Sequence, residues 1–324
     1  MFKKKRITKM VLALLGLLLV LSCAVVWYAY RWNVFHPLKQ GKVVVGGLER
    51  TFVYHVPKKL KGRPKLIMGY PGTKMTAGLM QVFTGHEFDE LADRDENAII
   101  VYLQGYKSNW NDCRKVAPYP SKKLNIDDVA FTEKVISYFA DNYSIDKHEV
   151  FAVGFSNGGS MVMKLAKLKP EWFKGFAAIG TNLPEDSNND CTAVNQPVSL
   201  IYINGEEDPI VPFRGGRIIL DGDDFGVVKS AEETLMYWLN SSQCDINDFS
   251  VKPFHTSKSS KEITAYQYNY HSPATGKRIS FVRITDGGHT IPNRNFRIPI
   301  TKLGAMNKEV DAPVLIWDFF MSLN

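Results

Sequence analysis

The stretch that decides the fold is Glu149-Val150-Phe151-Ala152-Val153-Gly154-Phe155-Ser156-Asn157-Gly158-Gly159. Its first half, Glu149–Val153, is a short apolar run that reads as a buried strand. From Asn157 to Leu168 the apolar positions recur at helical spacing. Between them stands G-x-S-x-G, the pattern of a serine held on a sharp strand-to-helix turn. The glycines two residues to either side remove side chains that would collide there. Such a turn lifts the hydroxyl off the sheet and sets it at a helix N-terminus. The helix dipole and the free N–H of Asn157 then face any oxyanion forming at that serine. A glycine-rich turn with an incidental serine is common, so the weight lies in the strand before it and the helix after it.

Working outward, strands and helices alternate. Val43–Val45 and Leu48–Val56 read as a hairpin turning at Gly46-Gly47, and Leu66–Tyr70 as a short strand. A helix is expected over 76–93. Ala98–Leu103 is continuously apolar, as a strand covered on both faces must be. Asp127–Tyr143 carries Val129, Val135, Ile136 and Phe139 on one side, with Asp127 or Asp128 as the N-terminal cap. Phe176–Ile179, Val198–Ile203 and Ile279–Ile284 read as further strands, and Ala231–Leu239 and Pro313–Leu323 as helices. This order predicts an α/β fold with a mainly parallel sheet, helices on both faces and no large lid domain. One catalytic domain is expected over 43–324, after an N-terminal segment and tether over 1–42.

A serine alone is a weak nucleophile and needs a base. Of the seven histidines, only His289 stands in a glycine-rich loop just after a late apolar strand, in Asp286-Gly287-Gly288-His289-Thr290. A third member is expected after Val198–Ile203, where Glu206, Glu207 and Asp208 follow one another. Asp208 is the preferred acid because Ile210-Val211 behind it would anchor that end of the loop. Its two neighbours and Asp286 stay open. The order Ser156, Asp208, His289 is that of the α/β-hydrolases, distinct from chymotrypsin and subtilisin.

The chain holds 40 Lys+Arg and 33 Asp+Glu, a net charge of +7. Eight of those cations and no acid lie within residues 1–42, which leaves 32 basic against 33 acidic residues in the body. The body therefore has no excess charge to draw it to nucleic acid. Behind the basic cluster at 3–9, residues 11–30 run for twenty positions without a charge. As a helix they would span roughly 30 Å, a bilayer core. The positive-inside rule then puts the body outside the cytoplasm. Three fates fit this segment: an uncleaved anchor, cleavage near Ser22-Cys23-Ala24, or lipidation of Cys23 in a lipobox-like Leu21-Ser22-Cys23. Each makes the protein extracytoplasmic, secreted or membrane-held. Cys113, Cys191 and Cys244 allow one disulfide in three pairings. No Cys/His spacing suits a structural metal, and nothing calls for a cofactor.

GFSNGG, the preceding DDVAF, GEEDPIVPFRGGR, SAEETLMYWLN with Cys244 nearby, and DGGHTIP together resemble the polyhydroxybutyrate depolymerase and feruloyl esterase group. The similarity runs from about Leu66 to His289. It implies an α/β-hydrolase serine esterase with Ser156 as nucleophile, Asp208 as acid and His289 as base. Two positions depart from the group's pattern. Pro71 stands where a histidine is usual, so the backbone of Thr73 would supply an oxyanion-hole N–H alongside Asn157. Ile291 replaces a common tryptophan. Tyr70, Tyr106, Trp110 and Ile291 are expected to line the substrate site, with Tyr119 nearby. The implied substrates are esters, polymeric or of feruloyl or acetyl-polysaccharide type. A peptidase or thioesterase on the same three residues, and a non-catalytic membrane-tethered binding protein, are the alternatives.

Overall fold

The computed structural model describes residues 15–16, 18–23, 38–255, 263–296 and 301–323. By its contacts the chain divides into residues 1–39 and 40–324. In the first unit, residues 15–16 and 18–23 are helical, and the rest of the 11–30 segment lies outside the described residues. Among the described residues no helix is long and apolar enough to cross a membrane.

Among the described residues there are twelve strands: β1 Lys39–Val45, β2 Leu48–His55, β3 Lys65–Tyr70, β4 Ala98–Leu103, β5 Val150–Phe155, β6 Gly175–Ile179, β7 Leu200–Gly205, β8 Gly216–Leu220, β9 Asp223–Val228, β10 Phe249–His255, β11 Ile263–His271 and β12 Arg278–Ile284. Ten of them form one sheet in the order β1-β2-β4-β3-β5-β6-β7-β12-β11-β10, and β8 pairs with β9 in a separate hairpin. The six strands from β4 to β12 run parallel, and β2, β11 and β10 are antiparallel to their neighbours. The helices are α1 Ala77–Phe83, α2 Glu87–Asp95, the short α3 Pro120–Lys123, α4 Asp128–Tyr143, α5 Asn157–Leu168, α6 Ala231–Ser242 and α7 Ala312–Met321.

Side chains alternate strictly across the central strands and feed two cores. Leu66, Met68, Val150, Ala152, Leu200 and Tyr202 pack with Phe131, Val135 and Phe139 of α4, Leu165 of α5 and Trp238 of α6. Their neighbours Ile67, Phe151, Val153, Ile201 and Ile203 pack on the other face with Met80 of α1, Phe88 of α2 and Trp317 and Phe320 of α7. Each fully buried side chain of this size contributes about 1.5–3 kcal/mol, so the parallel strands are held from both sides.

Two expectations need correction. The first strand begins at Lys39, inside the stretch read as tether, because the hairpin continues pairing past Val43, with Lys42 and Glu49 joined at 2.8 Å. The single helix over 76–93 is two helices, α1 and α2. Gly85 and His86 have φ of 63° and 62°, and that left-handed pair breaks the helical path between them. The sheet is mainly parallel, as expected, and continues at one edge through two antiparallel strands that the sequence reading does not assign, β11 and β10. Pro253 marks β10 as an edge strand, where no ladder N–H is needed from it.

The loop after β12 is tied to the rest by a carboxyl cluster. Asn293 and Asn295 donate to Glu87 at 3.1 and 2.8 Å, and Glu87 shares a hydrogen bond with Asp311, the N-cap of α7. Burial first, and then the nearness of Asp311, push the Glu87 carboxyl up to about 8. An acid whose folded pKa is raised takes up a proton on folding. Its contribution is therefore complete below the unfolded value of about 4.3 and is lost as pH rises toward 8. The unfolding free energy from denaturant titrations should fall between pH 5 and pH 8.5 by on the order of 1 kcal/mol, and Glu87→Gln should flatten that slope. A parent slope unchanged in Glu87→Gln would place the titration elsewhere.

Candidate active site

Ser156 sits between β5 and α5 with φ 55° and ψ −121°, a conformation that non-glycine residues rarely adopt. Its own N–H is fixed by the Ile179 carbonyl at 2.8 Å. The flanking glycines are required by contact. A Cβ on Gly154 would stand 2.2 Å from the Gly158 carbonyl oxygen, and one on Gly158 would stand 1.9 Å from that of Tyr70. The turn therefore closes only with glycine at both places.

The loops after β7 and β12 bring two further side chains to this serine. His289 Nε2 lies 2.9 Å from Ser156 Oγ, and its Nδ1 lies 2.7 Å from Asp208 Oδ2. With Nδ1–H donated to Asp208, Nε2 is free to accept the serine hydroxyl. Both members are buried, with side chains 4% and 3% exposed. Asp208 is fixed in turn, its Oδ1 accepting from the N–H groups of Ile210 and Val211 at 2.8 Å each. The His289 loop is pinned through its own N–H to the Leu303 carbonyl at 2.6 Å, and the Phe155 ring lies 4.9 Å from the imidazole. The other acids point elsewhere: Glu206 pairs with Arg283, while Glu207 and Asp286 are exposed.

The loop after β3 faces the nucleophile from the other side. A Cβ on Gly72 would stand 3.3 Å from Ser156 Cβ, which places Pro71-Gly72-Thr73 against it. Thr73 Oγ1 is bonded to Tyr119 OH at 2.7 Å. Asn157 is the first residue of α5, so its N–H is one that a helix leaves without an internal partner. The β8–β9 hairpin borders the same edge, where Asp221 at its tip meets Lys74 at 2.7 Å.

Tyr70, Trp110 and Ile291, expected to line the substrate site, are not at the surface. All three are fully buried, at 0%, 1% and 0% exposure. Tyr70 turns inward to Thr132, at 3.0 Å. Trp110 donates its indole N–H to the Pro71 carbonyl at 2.8 Å, and Ile291 packs in the core beneath the histidine loop. Their size and apolarity serve packing rather than a ligand. Tyr106 is half-buried in a tight turn, and Tyr119 is covered by the hairpin, its ring 5.0 Å from Phe225.

Sequence reasoning missed the long loop between β4 and α3. Asn157 Oδ1 accepts from Trp110 N–H at 2.8 Å, and its amide donates to Asp112 at 2.6 Å. Asp112 is paired with Arg114, and Cys113 between them is bonded to Cys191. That resolves the pairing and leaves Cys244 buried as a free thiol. The density of polar residues in Asn109-Trp110-Asn111-Asp112-Cys113-Arg114 was the available signal. Among the described residues no group of His, Cys, Asp and Glu could hold a metal.

The family described as Phospholipase/Carboxylesterase matches residues 97–219. A protein that bears the name esterase NocK, from Nocardia uniformis subsp. tsuyamanensis, is 27% identical over 86% of this chain and 81% of its own length. Feruloyl esterase C of Emericella nidulans is 28% identical over 37% of this chain, and the match spans only 39% of that enzyme. In structure, an acetyl xylan esterase from Aspergillus awamori superposes with a TM-score of 0.54 at 13% identity, covering 78% of this chain and 95% of its own. An S-formylglutathione hydrolase from Agrobacterium tumefaciens gives 0.53 at 11% identity, covering 89% and 96%. At these identities the structural likeness speaks to the fold.

The glycine contacts make a direct prediction. Gly158→Ala should abolish the turn, with loss of soluble, cooperatively melting protein, because backbone rather than a flexible side chain blocks the new methyl. Gly78→Ala in α1 meets nothing within 4 Å and should raise stability by about 0.5–1 kcal/mol. Thermal melts of the two variants beside the parent check both, and a folded Gly158→Ala would contradict the geometry.

Proposed function

We propose that this chain, which folds as an α/β-hydrolase and is similar to esterases of that kind, hydrolyses carboxylic esters through an acyl-enzyme on Ser156. The observation that carries this reading is the unbroken relay from Ser156 Oγ through His289 to Asp208, at 2.9 and 2.7 Å. His289 Nε2 takes the hydroxyl proton as Ser156 Oγ bonds to the ester carbonyl carbon. Asp208 holds the tautomer and stabilises the imidazolium so formed. The tetrahedral oxyanion accepts hydrogen bonds from the N–H groups of Thr73 and Asn157, each such donor worth about 3 kcal/mol. His289 passes its proton to the departing alkoxide and the C–O bond breaks. Water, deprotonated by the same imidazole, then releases the acid and restores the serine.

The substrate class we favour is a bulky or polymeric ester of feruloyl or acetyl-polysaccharide type. It is supported by the names of the curated relatives and by an active-site edge bordered by one hairpin rather than a lid domain. The departure at Pro71 is what would favour a non-catalytic role, yet the Pro71 carbonyl is used as the acceptor for Trp110, so the proline belongs to a built turn. Ser156→Ala and His289→Ala should each lower p-nitrophenyl ester turnover by at least ~10³-fold while the melting temperature holds. Asp208→Asn should cost less than either, though still orders of magnitude, and Ser156→Ala should lose labelling by a fluorophosphonate. Full turnover in Ser156→Ala would end this reading, and efficient cleavage of amides or thioesters over esters would reassign it.

We also propose that the catalytic domain works outside the cytoplasm, held there by residues 11–30. The Cys113–Cys191 bond and the charge step before the apolar segment support this. Full-length protein should sediment with membranes, and a chain beginning at Leu38 should stay in the supernatant with full activity. Label from palmitate that depends on Cys23 would make it a lipoprotein, and full-length protein in a cytoplasmic supernatant would refute the placement.

A further inference from the structure

The two amides assigned to the oxyanion sit on different segments, Thr73 after β3 and Asn157 at the start of α5. Their separation must be held by something, because neither segment hydrogen-bonds to substrate until it arrives. One buried group reaches both. Asp112 is 0% exposed and receives the Asn157 side-chain amide at 2.6 Å. The remaining Asn157 oxygen is taken by Trp110 N–H at 2.8 Å, so this side chain is locked away from substrate, while the backbone N–H of the same residue is one that the helix leaves without an internal partner. On its other side Asp112 is gripped by Arg114, through the guanidinium and through the Arg114 N–H at 2.8 Å. Arg114 then reaches Tyr119 OH at 3.4 Å, with its guanidinium 5.5 Å from the ring centroid, and Tyr119 OH meets Thr73 Oγ1 at 2.7 Å. Trp110, next but one to Asp112, fixes the Pro71 carbonyl through its indole.

We infer that Asp112 and Arg114 are positioning residues for the oxyanion site: their ion pair, acting through Asn157 on one side and Tyr119 on the other, sets the spacing of the two N–H donors. This rests on the esterase reading above. Burial opposes the Asp112 charge, yet Arg114 brings its carboxyl below the ordinary range, so the pair stays ionised and net neutral. Neutrality matters, since an unpaired carboxylate here would repel the oxyanion it helps to receive. The disulfide at Cys113 and the contact of Lys122 with the Asp112 carbonyl, at 2.6 Å, keep the pair from drifting.

A positioning role separates from a merely structural one in the transition state. An arylboronic acid adds to the serine as a tetrahedral species with an oxygen in the hole, so its affinity reads donor placement. We would measure kcat and KM on p-nitrophenyl acetate, inhibition by phenylboronic acid, and the melting temperature for the parent, Asp112→Asn and Tyr119→Phe. Asp112→Asn should lower kcat about 30-fold, change KM less than about threefold, and weaken the boronate by the same factor as kcat. Tyr119→Phe leaves the ion pair and the packing intact and should lower both about fivefold. If Asp112→Asn fails to fold because Arg114 is left unpaired, Tyr119→Phe decides alone. A folded Asp112→Asn with kcat within twofold of the parent would overturn the inference. So would a drop in kcat with boronate affinity unmoved, or a Tyr119→Phe enzyme equal to the parent in both. A parent that turns over no ester, or a Ser156→Ala that binds boronate equally well, would sink the esterase reading and the inference with it.

Discussion

The structure depends on one constraint, the backbone of Ser156 at φ 55° and ψ −121°. Such a conformation costs on the order of 1–3 kcal/mol and persists only where its surroundings over-determine it. Here they do so from three directions. The Ile179 carbonyl of the adjacent strand takes the serine N–H, and Gly154 and Gly158 meet backbone at distances that admit no side chain. The Asn157 side chain is held by the loop after β4. Two packed faces of a parallel sheet supply the stiffness behind this, since β5 has neighbours on both edges and apolar cores above and below. The strain is thus carried by a strand that is supported on both edges and both faces.

Topology explains why the partners arrive at this turn. In a parallel sheet every strand points its carboxyl end the same way, so loops after different strands converge on one edge. Thr73 follows β3, Ser156 follows β5, Asp208 follows β7 and His289 follows β12. Residues 133 and 81 positions apart, in the pairs Ser156–His289 and Asp208–His289, meet within hydrogen-bond distance.

That convergence is also why much of the site could be read beforehand. Strand-turn-helix around Ser156 is a local pattern, and α5 spans Asn157–Leu168 as its apolar spacing predicts. His289 and Asp208 were legible because each stands just past an apolar strand. The aromatic residues were not. Tyr70 closes β3 just before the loop that carries Thr73, Trp110 lies in the loop after β4, and one-dimensional position does not say which way a side chain turns. Burial decided it, because each has a polar partner inside, Thr132 for Tyr70 and the Pro71 carbonyl for Trp110. The loop from Gln104 to Asp128 was opaque for a related reason. It has almost no regular structure, yet Asn109–Arg114 are all buried. Its backbone is satisfied by distant side chains, such as Asp128 for Asn111 N–H at 2.7 Å, and no periodicity records such bonds.

Three buried carboxylates line this region, and their partners differ in a way that bears on the chemistry. Asp128 is matched by Arg50 at 2.7 Å, and Asp112 by Arg114, both permanent cations. A buried carboxylate with a fixed cation is a structural tie, costly to break and silent during a reaction. Asp208 has instead an imidazole, which is charged only once it has accepted a proton. Between turnovers its resting support is the neutral Nδ1–H of His289 and the pair of N–H groups from Ile210 and Val211, none of them a full charge. In the proposed reaction its full Coulombic partner therefore exists only while the imidazolium exists. That interaction is stronger in the transition state than in the ground state, which is the condition for it to accelerate the step rather than merely tighten binding. Replacing His289 by a fixed cation would satisfy Asp208 as well or better, and would make it no more useful than Asp128.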